Sequence, residues 1–141
     1  MEIRLVESND EILRIYPVLK QLRPQYSEDN FVHFVQTELF PRGVRLAQLS
    51  DDGQLVCAAG FRISASLAWG KFVYIDDLVS LETNRSKGYG KAMLDWIAAY
   101  GKSQGCHELH LDSGVQRHEA HRFYLRERMD IVFYHFKKVL S

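Results

Sequence analysis

In the middle of the chain, RLAQLS, LVCAAGFRIS and KFVYIDDLVS follow one another with only short Gly-bearing connections, the first being Asp51-Asp52-Gly53. All three runs are rich in apolar residues and alternate or cluster as strands do. Connections of that length cannot hold a crossover helix, so the three runs predict an antiparallel meander rather than a βαβ unit.

Helical and extended segments flank this meander. Residues 2–6 read as a first strand. The Ser8-Asn9-Asp10 cluster then offers N-caps for a helix carrying Ile12, Leu13, Ile15, Tyr16, Leu19 and Leu22, ended by Arg23-Pro24. A second helix is predicted to begin after Ser27, to align Phe31, Phe34, Val35 and Leu39, and to stop near Pro41-Arg42-Gly43, with its loop serving as a lid. Downstream, NRSKGYG leads into a helix whose Tyr89, Met93, Trp96, Ile97 and Tyr100 form one stripe up to Gly101. CHELHLD predicts a strand, HEAHRFYLRER a helix and IVFYHFKKVL a closing strand. The order is β-α-α-β-β-β-α-β-α-β, without repeats or linkers. It makes residues 1–141 a single α/β domain, a mixed and mainly antiparallel sheet flanked by helices.

Composition narrows the function classes. A chain of 141 residues that is 46% hydrophobic can fill one core. Its 18 basic residues balance 18 acidic ones, so bulk charge recruits neither nucleic acid nor an anionic membrane. The N-terminus lacks the basic flank and apolar run of about 7 to 15 residues found in signal peptides. No run approaches the ~18 apolar residues of a membrane span. A cytoplasmic protein is expected, and a homodimer is compatible with the sequence. Cys57 and Cys106 lie in apolar runs with no metal-binding or redox spacing, which predicts buried free thiols.

The segment with most chemical content is Arg85-Ser86-Lys87-Gly88-Tyr89-Gly90-Lys91, where a strand region hands over to an amphipathic helix. Glycines admit backbone conformations closed to other residues and let a ligand approach closely. The first amides of a helix have no intrahelical partners and carry the positive end of its dipole. An anion fits there. Cations near a helix N-terminus are otherwise unfavourable, so Arg85, Lys87 and Lys91 point the same way. The spacing matches neither a P-loop nor a dinucleotide-binding turn.

Arg85-x-x-Gly88-x-Gly90 resembles the (Q/R)-x-x-G-x-(G/A) signature of the GNAT acetyltransferases. Tyr74-Ile75-Asp76-Asp77-Leu78-Val79-Ser80 is similar to that family's fourth strand, in particular the Y-L-E-D-L type of small diamine acetyltransferases. Ala120-x-x-Phe123-Tyr124 resembles its A-x-x-F-Y helix. The resemblance spans the whole order of elements. It implies the GNAT fold, acetyl-CoA as cosubstrate and an amine acceptor. It also implies that Arg85, Ser86, Lys87, Gly88, Tyr89, Gly90 and Lys91 hold the coenzyme A pyrophosphate, and that the backbone of Leu78, Val79 and Ser80 lines the acetyl and pantetheine arm. Tyr124 is implied as general acid beside the thioester sulfur. The chain departs from the pattern at Arg117, where the family carries asparagine, and at Arg128-Met129, where it carries glycine and phenylalanine. Arg117 is open to two readings, a contact to a coenzyme A phosphate or a solvated helix residue.

Acyl transfer to an amine needs a base for the amine, donors for the developing oxyanion and a proton for the departing thiolate. Asp76 and Asp77 are the candidates for the base, because two adjacent carboxylates in an apolar strand are hard to explain by packing. Strand alternation puts them on opposite faces, and the match to the acidic position of the family strand favours Asp76. An aspartate that only binds a cationic amine would look the same. His107, His110, His118 and His121 do not make a metal set, since they lack H-E-x-x-H spacing and an evident third ligand. The expected activity is transfer of acetyl to a primary amine of a small molecule or protein, the alternative being a GNAT-fold module that senses acyl-CoA without turnover. Glu28, Asp29, Asp76 and Asp77 suit a cationic acceptor, whereas Arg23 and Arg42 suit a carboxylate.

Overall fold

In the computed structural model, which describes residues 1–85 and 87–141, the predicted meander is the centre of one sheet. Among the described residues its strands are β1 (Glu2–Val6), β2 (Val44–Asp51), β3 (Gln54–Ser66), β4 (Gly70–Ser80) and β5 (Glu108–Leu111), in that spatial order. The first four pair antiparallel. Asp52 and Gly53, both at positive φ, form the two-residue turn between β2 and β3, as right-handed strand twist favours. The helices are α1 (Asn9–Lys20), α2 (Glu28–Phe34), α3 (Tyr89–Ser103) and α4 (His118–Arg126). Two compact units emerge, residues 1–110 and 111–141.

In the first unit, α1 starts at a capping box: Ser8 accepts from the Glu11 amide and the Glu11 carboxylate accepts from the Ser8 amide. Ile12, Ile15, Tyr16, Val18 and Leu19 are buried, whereas Leu13 is largely exposed and α1 stops at Lys20, before Leu22. α2 buries Phe31 and continues through a π-helical turn over Val35–Leu39 to Gly43. Both helices pack on one face of the sheet, against Val6, Leu46 and Ala58. α3 covers the opposite face, where Phe61 meets Trp96 and Tyr100 edge-on at 6.3 and 5.5 Å. Gly101 does not end α3, which runs on to Ser103. A Cβ at Gly101 would lie 2.7 Å from Val73, so its bare Cα is what lets α3 approach β4. Cys57 and Cys106 are free and buried, as expected, and burial pushes the Cys57 thiol up to about 11.

In the second unit, α4 ends in a Schellman motif. The Met129 amide donates to Tyr124 O and the Arg128 amide to Leu125 O, with Arg128 at φ +64°. The expected closing strand is not formed: residues 130–141 carry no strand and are exposed throughout, including Phe133, Tyr134 and Phe136. Alternation in IVFYHFKKVL supplies a suitable side-chain pattern, but a strand also needs a hydrogen-bonding neighbour. No helix among the described residues is long and apolar enough to cross a membrane.

Candidate active site

The site is built on an irregularity in β4. Its register against β3 runs Gly60↔Asp77 and then Phe61↔Ile75, so Asp76 is an extra residue, a β-bulge. The bulge resets the alternation. Gly60 shares a face with its β2 partner Leu46, which packs under α1 and α2. Asp77 opposite Gly60 and Tyr74 opposite Arg62 therefore lie on that same face, although an odd number of positions separates them. The Asp76 carboxylate reaches the same Arg62, Nε donating to Oδ2 at 3.1 Å. The sequence expectation that the two aspartates point to opposite faces is thus overturned, because one inserted residue cancels one step of the two-residue period.

Two arginines balance the two carboxylates. Arg23, just past α1, donates from Nε to Asp77 Oδ1 at 2.6 Å and from Nη2 to the Asp76 carbonyl at 3.0 Å. Arg62 stacks over the Tyr74 ring at 4.5 Å while holding Asp76. Burial pushes the Asp77 carboxyl above the usual carboxylate range and the neighbouring Asp76 adds to the rise, while the Arg23 guanidinium pulls it back. Arg62 was missed in the sequence. Its signal is a lone cation in the apolar run LVCAAGFRIS opposite the strand that carries the acids. Gly60 has a specific role, since a Cβ there would stand 2.9 Å from Asp77 Oδ2.

Beyond the bulge, Leu78, Val79 and Ser80 pair with Ala59, Ala58 and Cys57 on the β3 side. On the other side β5 begins just after His107, whose amide donates to Lys71 O, and it has only four residues. At about 3.3 Å per residue it flanks the first half of β4 and leaves the edge of residues 76–80 beyond its reach. Gln21 straps this end of the strand, donating to Ser80 O at 3.3 Å and accepting from the Glu82 amide at 2.9 Å.

The chain then turns into α3 at Gly88, which caps the helix at φ +82° with no side-chain cap; among the described residues, no atom lies within 4 Å of where a Cβ would stand. Arg85, Lys87 and Lys91 are exposed around it, Lys91 pairing with Asp95 at 3.0 Å. Tyr89 is buried and donates its hydroxyl to Asp51 Oδ2 at 2.7 Å, so its side chain anchors the turn while Gly90 is half-buried beside it. Ser86 lies outside the described residues. An uncapped helix start with open space at a left-handed glycine and exposed cations fits a pyrophosphate. Tyr124, on α4 of the second unit, has its phenol pushed up by burial, with Arg117 pulling it down. The candidate histidines stay dispersed in role: His110 stacks on Trp69 at 3.6 Å and bonds Glu108, while His121 Nε2 meets Gly114 O at 2.7 Å. Among the described residues no three metal-ligating side chains converge.

Known proteins resemble the chain over most of its length. The model of the Acetyltransferase (GNAT) family matches residues 9–129. The chain is 28% identical over 124 residues to the uncharacterized N-acetyltransferase YhdJ of Bacillus subtilis, covering 88% of this chain and 87% of that one. Its fold is similar to a ribosomal-protein-alanine N-acetyltransferase of Brucella melitensis, with a TM-score of 0.83 at 16% identity over 99% of this chain and 100% of the other. It is also similar to an aminoglycoside N-acetyltransferase solved in complex with CoA, with a TM-score of 0.78 at 16% identity over 97% and 95% of the two chains.

Proposed function

Because this chain belongs to the GNAT family of acetyltransferases, we propose that it moves the acetyl group of acetyl-CoA directly onto a primary amine. The observation that carries the reading is the β4 bulge. It brings two carboxylates and two guanidiniums to one face of the strand whose end leads into the Gly88 turn. Acetyl-CoA supplies the activated acetyl group, and the chain's own residues do the rest. The amides at the start of α3, with Arg85 and Lys87, hold the pyrophosphate. The edge of Leu78, Val79 and Ser80 that β5 does not reach offers backbone groups to the pantetheine arm. Asp77 binds the incoming ammonium and takes its proton, a role for which a carboxyl raised by burial is better matched than an ordinary one. Asp76, tied to Arg62 and named first from the sequence, holds the charge balance. Tyr124 keeps its phenol protonated and provides the proton for the leaving sulfur. From the ammonium to the amide the nitrogen gains the acetyl carbon and loses two protons, one to Asp77 and one that restores the Tyr124 phenol, while the carbon–sulfur bond breaks and the sulfur keeps the proton that Tyr124 gave up.

The test combines binding and turnover. Saturating acetyl-CoA should raise the melting temperature, by the equivalent of about 2.7 kcal/mol at one hundred times Kd. Gly88→Val should remove that shift, because a branched side chain is strained at positive φ and stands where the pyrophosphate approaches. With an amine panel, coenzyme A should be released above background. Binding without release would make the chain an acyl-CoA sensor, and absence of binding would overturn the cofactor reading.

A further inference from the structure

On the sheet face that carries Asp76 and Asp77 there is a cavity of about 160 Å³. Tyr26, Phe31, Phe34 and Leu39 form its apolar wall, and Arg23 with Asp77 forms its polar end. The wall is held in place from behind: Phe31 packs on Tyr16 at 5.2 Å, and the Tyr16 hydroxyl donates to Tyr26 O at 2.6 Å. Tyr26 in turn packs on Phe34 at 5.5 Å. A dry cavity of roughly 150 Å³ accepts a benzene ring. This one therefore has room for a phenyl- or isobutyl-sized group.

The polar end is already neutral, with Asp76 and Asp77 facing Arg23 and Arg62. A bare ammonium entering it would add one uncompensated charge to a half-buried cluster, which is unfavourable. An acceptor bearing its own anionic group leaves the sum unchanged. Arg23 can receive that group: its Nε and Nη2 are engaged, Nη1 has no protein partner among the described residues, and its side chain is 40% exposed.

Resting on the acetyltransferase reading above, we propose that the acceptor is a hydrophobic α-amino acid. Its side chain fills the Tyr26–Phe31–Phe34 cavity, its carboxylate sits on Arg23 and its α-amine lies at Asp77. Loop and pocket thus select on three points at once, which neither the length of the chain nor its charge suggests. Two sources of the anion, carboxylate and phosphonate, share this chemistry with the guanidinium, and the single charge of a carboxylate, which balances the ammonium one for one, favours the former.

The experiment compares kcat/KM for coenzyme A release with phenylalanine, leucine, glycine, phenethylamine, phenylalanine amide and 2-aminoethylphosphonate at saturating acetyl-CoA. Phenylalanine and leucine should exceed phenethylamine and the amide by about 100-fold, the upper end of what one unsatisfied polar group costs. Glycine should fall about 10-fold or more below leucine for want of a side chain. Arg23→Gln should erase the preference for the carboxylate, lowering phenylalanine to the rate of phenethylamine. Phe34→Trp, at a position outside the proposed chemistry, should narrow the cavity and penalise phenylalanine more than glycine. If phenethylamine or 2-aminoethylphosphonate equals or exceeds phenylalanine, the amino-acid inference is overturned while acetyl transfer stands. If acetyl-CoA stabilises the chain but no amine releases coenzyme A, the transfer reading itself fails. A melting shift with leucine in the presence of coenzyme A would then still support the pocket, and its absence would reject it.

Discussion

Tyr124 and Arg128 are neighbours on one helix end, and the Schellman bond from the Met129 amide to Tyr124 O ties the candidate acid to the turn that closes α4. Tyr124→Phe keeps the ring and removes the proton, so turnover should fall by roughly 10² to 10⁴ while the melting shift with acetyl-CoA is retained. Burial raises the phenol, so in the folded chain it releases its proton only above the ordinary value of 10.0. An alkaline limb produced by Tyr124 must therefore lie higher still, and a limb seen well below that value and unchanged in Tyr124→Phe would belong to another group. Arg128 occupies a left-handed position that costs a non-glycine residue about 1 kcal/mol. Arg128→Gly should accordingly raise the melting temperature by about 4 °C in calorimetry, with coenzyme A release unchanged. The departure from the family's glycine seen in the sequence is in this way a strained C-terminal cap.

At the scale of elements, the decisive feature is the bulge between β3 and β4. Gly60→Ala would put a Cβ 2.9 Å from Asp77 Oδ2 and 3.3 Å from Leu46 Cδ2, so these side-chain ends must move away. The carboxylate should be driven off Arg23. We expect coenzyme A release to drop at least about 10-fold and stability to fall by about 1–3 kcal/mol, with the acetyl-CoA melting shift preserved because the Gly88 turn is untouched. Loss of the shift together with activity would mean that the two halves of the site are not separable. The sign of the Asp77 effect on stability follows from its raised carboxyl. A folded value above the unfolded one means that the folded chain holds the proton more tightly. That contribution is present below the ordinary value of 3.8 and is lost as pH rises through the folded value. At neutral pH the raised carboxyl therefore adds nothing to stability through its titration. α1, α2 and the meander were all legible in the sequence, since capping residues, apolar spacing and two-residue turns are written in adjacent positions.

For the whole molecule, the terminal segment is the largest departure from expectation. Ile131, Phe133, Tyr134, Phe136, Val139 and Leu140 are all more than 60% exposed, many large apolar side chains for one short segment to leave to water. Self-association of the chain is the expected outcome: sedimentation velocity should show a concentration-dependent dimer, and deletion of residues 131–141 should return a monomer. A monomer at all concentrations would reject the homodimer. The sequence by itself determined the order of elements up to α4, the antiparallel meander, the glycine turn before α3 and the buried thiols, because each of these depends on residues within a few positions of one another, and it determined the family because three such local motifs follow in order along the chain. Only the tertiary structure decided that both aspartates share a face, that Arg23 and Arg62 neutralise them, that an apolar cavity lies beside Asp77, and that the apolar-rich residues 130–141 form no strand. Those outcomes depend on registry between strands and on partners more than fifty residues away, as Arg23 is from Asp77, and no local pattern of side chains carries that information.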